Sequence, residues 1–278
     1  PPISEEEYIK WAKEVDKNYQ TANRWKMMQP YLSLLQLEAK DDVRGFYFLS
    51  KKTENVENLL RSVDTLSAEK QSEIKEWLRQ MCQNTEGVGA GCQGLAEAAI
   101  KGKQAYEFYL KHLPSGERIW NSYFGLHNPR HEFVWSKASP LEMHIPFQDP
   151  HDNTILDFLK INIEDEFKWN DWKMLLDFKP YADVHVEFEP GVTPHVNKAG
   201  GDTITMDKNT PLTEWDVQWT IRHEFGHVLG FVDCYVEFYD AQEKVIINYQ
   251  LDTTHLMCSR MGRMQQSIFD TLKANYLK

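Results

Sequence analysis

The sequence has no apolar run that approaches the roughly 20 residues needed to cross a bilayer as a helix. It also has no internal repeat and no low-complexity segment. The glycine-rich stretch at residues 84–94 is not followed by the lysine of a phosphate-binding loop, so it predicts a turn and not a nucleotide site. These absences leave a folded globular protein with no transmembrane segment.

Basic residues are in deficit. The chain has 31 lysines and arginines against 42 aspartates and glutamates, a formal net charge of −11, and most of the acidic excess lies in residues 118–278. An acidic surface repels phosphate backbones, so the composition argues against a nucleic acid as partner. It favours neutral or basic substrates.

Cysteine is scarce, and its four occurrences form two local pairs, Cys82 with Cys92 and Cys234 with Cys258. An even number at short spacing predicts disulfide bonds and an exported protein, secreted or periplasmic. The alternatives are four reduced, buried thiols, an inhibitory thiolate from Cys82, or a zinc ligand from Cys234. The spacing alone does not fix the connectivity.

The sequence contains no initiator methionine and no segment that resembles a signal peptide, and it opens on Pro1 and Pro2. This beginning is typical of a mature or trimmed product, although an arbitrary start would look the same.

Hydrophobic periodicity divides the chain into two parts. Residues 1–117 have apolar positions at helical spacing, which predicts a helical N-terminal domain of unknown role, with the boundary near residues 114–120. Residues 118–278 mix the two periodicities and predict an α+β domain. In this part we expect strands at 141–147, 182–191 and 200–207 and helices at 153–169, 213–230 and 264–277. The third strand is short and polar at alternate positions, as an edge strand should be.

The segment "HEFGHVLGFVD", residues 223–233, has a pattern that suits a metal ion. Residues four apart lie on one face of a helix, so His223 and His227 can both present a ring nitrogen to one ion. Glu224 lies one step round the helix, where it can accept a proton from a water on the metal.

A third ligand must come from elsewhere, because catalytic zinc takes three protein ligands and a water. Gly230 can adopt the left-handed conformation that ends a helix, which would bring Asp233 under the metal. The rivals for this ligand are His255, Glu237 and Glu243.

Residues 223–233 resemble the signature of the metzincin zinc proteases, in the aspartate-ended variant typical of the secreted bacterial snapalysin group. "HLMCS", with Met257, and Tyr235 are similar too. The resemblance implies a twisted mixed sheet with an antiparallel edge strand, an active-site helix, and a turn that places Met257 beneath the zinc. It also implies that the strand "GGDTITMD" pairs with extended substrate. Tyr235 is a candidate for support of the transition state.

The sequence departs from this family at several points. Most members have histidine where this chain has Asp233, a long insert follows Tyr235, and no tyrosine follows Met257 closely. Residues 1–117 resemble no family.

The function predicted from these residues is that of a zinc endopeptidase acting on peptides or proteins, with Glu224 as general base. Two alternatives remain at this point, a non-catalytic zinc-containing binding module and an amidase acting on cell-wall peptides. The stretch "FQDPHDNT" at 147–154 could bind calcium through its carboxylates or could form a turn and a helix cap.

Overall fold

The computed structural model describes residues 4–278, with all side chains in this range except those of residues 5, 13, 16, 17, 20 and 21. The described chain is 50% helix and 17% strand, so the mixed α+β class is confirmed. The α-helices are α1 Glu5–Met28, α2 Leu32–Leu37, α3 Arg44–Phe46, α4 Val56–Arg61, α5 Ala68–Glu86, α6 Cys92–Lys101, α7 Ala105–Ser122, α8 Asn153–Leu159, α9 Trp215–Val228 and α10 Gln266–Tyr276. The strands are β1 Glu142–Gln148, β2 Lys168–Trp169, β3 Trp172–Lys179, β4 His185–Glu189, β5 Thr203–Asp207, β6 Tyr235–Asp240 and β7 Val245–Gln250.

The chain divides into two compact units whose boundaries interleave. The first unit consists of the chain up to Glu117 together with Val236–Tyr249, and the second consists of Arg118–Tyr235 with Gln250–Lys278. The segment Val236–Tyr249 forms most of the β6–β7 pair. The sequence-based division at 117/118 had placed this segment in the second part of the chain.

The first unit is built from amphipathic helices. Ser67 caps α5 by accepting a hydrogen bond from the Lys70 backbone N–H, and the buried face of α5 provides the centre of the core, with Ile74 and Leu78 fully buried. A disulfide bond between Cys82 and Cys92 joins the end of α5 to the start of α6.

Hydrogen bonds to the helical residues attach the β6–β7 pair to the first unit. The Tyr249 hydroxyl donates to Asp42 at 2.8 Å and accepts from the Val43 backbone N–H at 3.0 Å, while Arg24 Nε donates to Glu237 at 3.0 Å. Asp42 is 1% exposed. Since a buried carboxylate needs such partners, the pair is an integral part of this unit.

The second unit contains two small sheets with mixed strand directions. β3 pairs with β1 in parallel and with β2 antiparallel, and β4 pairs with β5 in parallel. The Gln148 backbone N–H donates to the Val184 carbonyl at 2.7 Å, which joins the end of β1 to the start of β4. These strands, together with α9 and α10, contribute many of the buried residues that form the core of this unit.

The expected boundary at 114–120 contains the division between the two units, at Glu117 and Arg118. Helix α7 nevertheless continues across it and through Pro114. A proline removes one hydrogen bond of the helix, and the flanking turns can retain the helix where they are packed. The helix expected at 153–169 is helical from Asn153 to Glu166, as α8, a wider π-turn over Lys160–Glu164 and two further α-helical residues. Only its last residues differ, because β2 occupies Lys168–Trp169.

Residues 200–207 were expected to form an edge strand, and β5 is one of the two strands of its sheet. It runs parallel to β4, whereas the resemblance implies an antiparallel edge strand. On the other side of β5, the Thr205 backbone exchanges two hydrogen bonds of 3.0 Å with His195. The segment around His195 therefore runs along the side of β5 that faces away from β4. The alternating pattern of β5 alone could not reveal this pairing.

None of the described helices is both long and apolar enough to cross a membrane. The second disulfide bond joins Cys234 to Cys258, so both predicted pairs are confirmed and the reduced-thiol and Cys82-thiolate alternatives were wrong. Disulfide bonds are typical of proteins that fold in an oxidising environment.

We expect Gly45→Ala to lower the free energy of unfolding by about 2–3 kcal/mol, because the new Cβ would lie 2.2 Å from the Trp77 carbonyl oxygen. The matched control is Gly94→Ala in α6, where nothing lies within 4 Å of the new Cβ and helix propensity favours alanine by up to about 1 kcal/mol. Urea unfolding measures both variants. Equal stability of the two would show that α3 and α5 are not in backbone contact.

Candidate metal centre

Helix α9 places two imidazoles on one face. Ile221 and Phe225 are fully buried in the core, and this orientation directs His223 and His227 toward a cleft. Their rings are edge to face with centroids 4.9 Å apart. Each side chain is only 12–13% exposed.

The chain after α9 brings a carboxylate to these two rings. Gly230 has φ = +101°, the left-handed conformation predicted from the sequence, and the Phe231 backbone N–H donates back to the Gly226 carbonyl. This turn reverses the chain, so that Asp233 Oδ1 lies 3.0 Å from His223 Nε2 and 3.5 Å from His227 Nε2.

The tautomers of both imidazoles follow from their outer hydrogen bonds. His223 Nδ1 donates to the Leu256 carbonyl at 3.2 Å and His227 Nδ1 donates to the Phe231 carbonyl at 2.9 Å. A carbonyl only accepts, so each Nδ1 carries the proton and each neutral ring presents an Nε2 lone pair to the cleft.

Three lone pairs therefore converge on one point. Asp233 Oδ1 is buried and has no hydrogen-bond partner of acceptable geometry, although the two Nε2 atoms lie close to it. Such an arrangement is repulsive unless a positive charge lies between the three atoms, because a buried carboxylate oxygen without a partner is costly. A metal ion satisfies all three donors at once, and so these residues fit a bound metal.

The pKa shifts of His227 and Asp233 reflect the closeness of the carboxylate to the two imidazoles. Burial acts to lower the pKa of His227, yet Asp233 and Glu224 raise it above its ordinary value. Burial acts to raise the pKa of Asp233, but the two imidazoles hold it far below its ordinary value. A metal ion needs both imidazoles neutral and the carboxylate ionised, so its affinity is expected to fall as the pH is lowered.

Glu224 lies beside this group. It is 7% exposed, and one of its oxygens lies within 4.8 Å of the nitrogens of His223 and His227. Burial raises its pKa, although the neighbouring imidazoles and a hydrogen bond from the Val196 backbone act in the opposite direction. A carboxylate with a raised pKa is a better proton acceptor near neutral pH.

Met257 lies against α9 between the two histidines. It occupies a turn closed by the Cys258 N–H and the His255 carbonyl at 3.0 Å, and a Cβ on Gly226 would lie 2.3 Å from its sulfur atom. Only glycine at residue 226 leaves room for this methionine.

The rivals for the third ligand have other partners. His255 is 1% exposed, and its Nδ1 accepts the Met257 backbone N–H at 3.1 Å. Glu237 is paired with Arg24 in the first unit, and Glu243 is exposed there. The structure brings Asp233, and none of these three, to the two Nε2 atoms. Cys234, the other ligand considered, is in a disulfide bond.

The histidines and Glu224 line a cleft of about 410 Å³. Tyr235, which is 40% exposed, lines it as well, as do the residues Pro194, His195, Val196, Trp219, Gln250, Ser259 and Arg260. The sequence had given no signal for Trp219, whose ring lies 4.9 Å from that of His223. An aromatic residue four positions before a histidine is common in helix cores, so only the fold identifies it as part of the wall.

A buried ion cluster contacts α9 through Arg222. The sequence analysis did not predict this cluster. Glu166 is 5% exposed and accepts hydrogen bonds from Arg222, at 3.0 Å, and Arg263, at 3.1 Å. Arg222 directly precedes His223 in α9, and Arg263 lies in the segment that follows Met257. The cluster therefore links α9 to that segment. A single acidic residue in an acidic stretch gives no sequence signal for such a role.

The stretch at 147–154 forms a turn and a helix cap. Asp149 accepts from the His151 backbone N–H at 2.8 Å, and Asp152 caps α8 by accepting from the Thr154 and Ile155 backbone N–H groups. The two carboxylates thus stabilise local backbone.

Searches with the sequence and the structure found no matching family model, no matching curated protein and no matching solved structure. The function must therefore be inferred from the geometry of this cleft.

We expect Asp233→Asn to weaken metal binding by about 10²-fold or more, since even the loss of outer hydrogen-bond partners of metal ligands costs about 10–100-fold. Glu243→Gln, which also removes one negative charge, should leave the affinity unchanged. Competition with a chromophoric chelator measures both dissociation constants. Equal affinities would remove Asp233 from the ligand set.

We expect the protein to lose stability as the pH falls from about 6.5 to about 4. Burial lowers the pKa of His255 from 6.5 to about 4, so the unfolded chain binds a proton in this range that the folded chain excludes. The contribution of this group is at most about 3 kcal/mol. In His255→Asn the side-chain oxygen can still accept the Met257 N–H but does not titrate, so this part of the pH dependence should vanish in urea unfolding. An unchanged slope in the variant would contradict the assignment.

Proposed function

We propose that this protein is a zinc-dependent endopeptidase. The observation that carries the proposal is the convergence of Asp233 Oδ1 with the Nε2 atoms of His223 and His227 in an open cleft, beside the buried carboxylate of Glu224.

Zinc suits this donor set. Two imidazoles and one carboxylate are among the ligands of catalytic zinc, with bonds of about 2.0–2.2 Å, and tetrahedral ligands at that range lie roughly 3.3–3.5 Å from one another. The separations of 3.0 Å and 3.5 Å between Asp233 Oδ1 and the two nitrogens are close to this value. A bound zinc supplies a Lewis acid that polarises a carbonyl group and lowers the pKa of water.

Glu224 acts as the general base in this proposal. Its carboxylate accepts a proton from the attacking water and then delivers it to the leaving amine. Its position beside the ligand nitrogens and its raised pKa support this role.

The segment Pro194–Val196 lines the cleft beside Glu224. In this proposal an extended substrate lies along this segment, donates main-chain hydrogen bonds to its carbonyl groups and places alternate side chains in the cleft. Tyr235 lines the same cleft and remains a candidate for support of the transition state.

The metzincin resemblance agrees with three local features, the left-handed Gly230, the Asp233 carboxylate and the turn at Met257. We propose a metzincin-like arrangement of the second unit on these grounds. The two disulfide bonds favour an exported protein.

We expect Glu224→Gln to lower the cleavage rate of an unfolded protein substrate by about 10²–10⁴-fold, because the base is lost, while one zinc per chain remains bound. Glu187→Gln, at an exposed position of β4, serves as the charge-matched control and should retain full activity. Zinc content by atomic spectroscopy and peptide release are measured side by side.

Full activity in Glu224→Gln would refute the mechanism. Bound zinc without cleavage of any polypeptide by the unaltered protein would favour a binding module, and release of cell-wall peptides alone would favour an amidase. Absence of zinc from all variants would refute the proposal.

A further inference from the structure

A second group of metal-ligating side chains lies in the core of the second unit. Cys234, His255 and Cys258 are 0%, 1% and 3% exposed, and one donor atom from each lies within 4.8 Å of the others. The two cysteines form a disulfide bond, and His255 Nδ1 lies 3.5 Å from Cys234 Sγ.

The geometry points to a redox-gated metal site formed by Cys234, His255 and Cys258, which accepts a soft or borderline ion such as Zn²⁺ when the disulfide bond is reduced. Two thiolates and one imidazole are a common donor set for zinc. Three protein donors leave a fourth position for a water molecule.

The disulfide bond explains the position of the two sulfur atoms but not that of the imidazole. His255 takes no part in the disulfide bond, yet its imidazole lies beside the two sulfur atoms. Its Nδ1 is aprotic, because it accepts the Met257 backbone N–H at 3.1 Å, and so its lone pair points toward the turn that carries Cys258. Metal ligation exchanges this hydrogen bond for a metal–nitrogen bond.

The redox step is balanced by a dithiol reductant. The S–S bond between Cys234 and Cys258 breaks and takes up two electrons and two protons, while the dithiol gives up the same and closes its own disulfide bond. The metal then binds both sulfur atoms and displaces the two thiol protons.

The donor atoms of this site are separate from those of the candidate catalytic centre, although Cys258 lines the same cleft and each cysteine adjoins one of its residues. Cys234 follows Asp233, and Cys258 follows Met257. The inference does not depend on the proposed peptidase activity, since it concerns a separate set of donor atoms.

The test uses Co²⁺ as a spectroscopic substitute for Zn²⁺ in the full chain carrying Cys82→Ser and Cys92→Ser, so that a single disulfide bond remains. A phosphine reduces it, taking oxygen from water to form the phosphine oxide while the two protons go to the thiols. We expect the oxidised chain to bind Co²⁺ without a thiolate-to-cobalt charge-transfer band. The reduced chain should bind one further equivalent and show that band.

Two variants assign the band. A chain with Cys234→Ser and Cys258→Ser should never show it, and His255→Asn, which keeps an acceptor for the Met257 N–H, should weaken the second equivalent at least tenfold. His131→Ala, at an exposed histidine of the same unit, should leave it unchanged.

The inference is overturned if the reduced, folded chain shows no charge-transfer band, or if His255→Asn binds the second equivalent as tightly as the parent. Unfolding on reduction that neither Co²⁺ nor Zn²⁺ prevents, as monitored by circular dichroism, also overturns it. Failure of the oxidised chain to bind any Co²⁺ would count against the catalytic centre alone, because the second site is judged by the increment on reduction.

Discussion

The convergence of three lone pairs at Asp233, His223 and His227 is the constraint on which the rest of the site depends. Close separations between an unprotonated carboxylate and two imidazole nitrogens are stable only around a positive charge. Each supporting feature acts to keep these atoms together. The two outer hydrogen bonds fix the tautomers of the rings, and the left-handed Gly230 turns the chain so that the carboxylate can reach them.

A second layer of contacts holds the backbone segments that carry these ligands. The disulfide bond between Cys234 and Cys258 joins the residue after Asp233 to the residue after the Met257 turn. On the other side of α9, Glu166 binds arginines from two segments. The disulfide bond thus restricts the segments that carry Asp233 and Met257, and the buried ion cluster restricts α9, so that the candidate metal-binding residues are held in place.

The sequence predicted those parts of the site that depend on local geometry. Four-residue spacing on a helix determines that His223 and His227 share a face, and a glycine that ends a helix predicts its own positive φ. The parts that depend on pairing between distant segments were missed or wrong. The hydrogen bonds between Thr205 and His195, beside the expected edge strand, were missed, and so was strand β3.

The interleaving of the two units has a consequence for modularity. The chain passes from the second unit into the first after Tyr235 and returns at Gln250, so the link between Asp233 and Met257 runs through the first unit. The hydroxyl of Tyr249 donates a hydrogen bond to the buried carboxylate of Asp42, although more than 200 positions of sequence separate the two residues. Residues 1–117 are therefore not a self-contained module, since the first unit also needs the β6–β7 pair. A chain divided at 117/118 is expected to leave the buried Asp42 carboxylate without the Tyr249 hydroxyl.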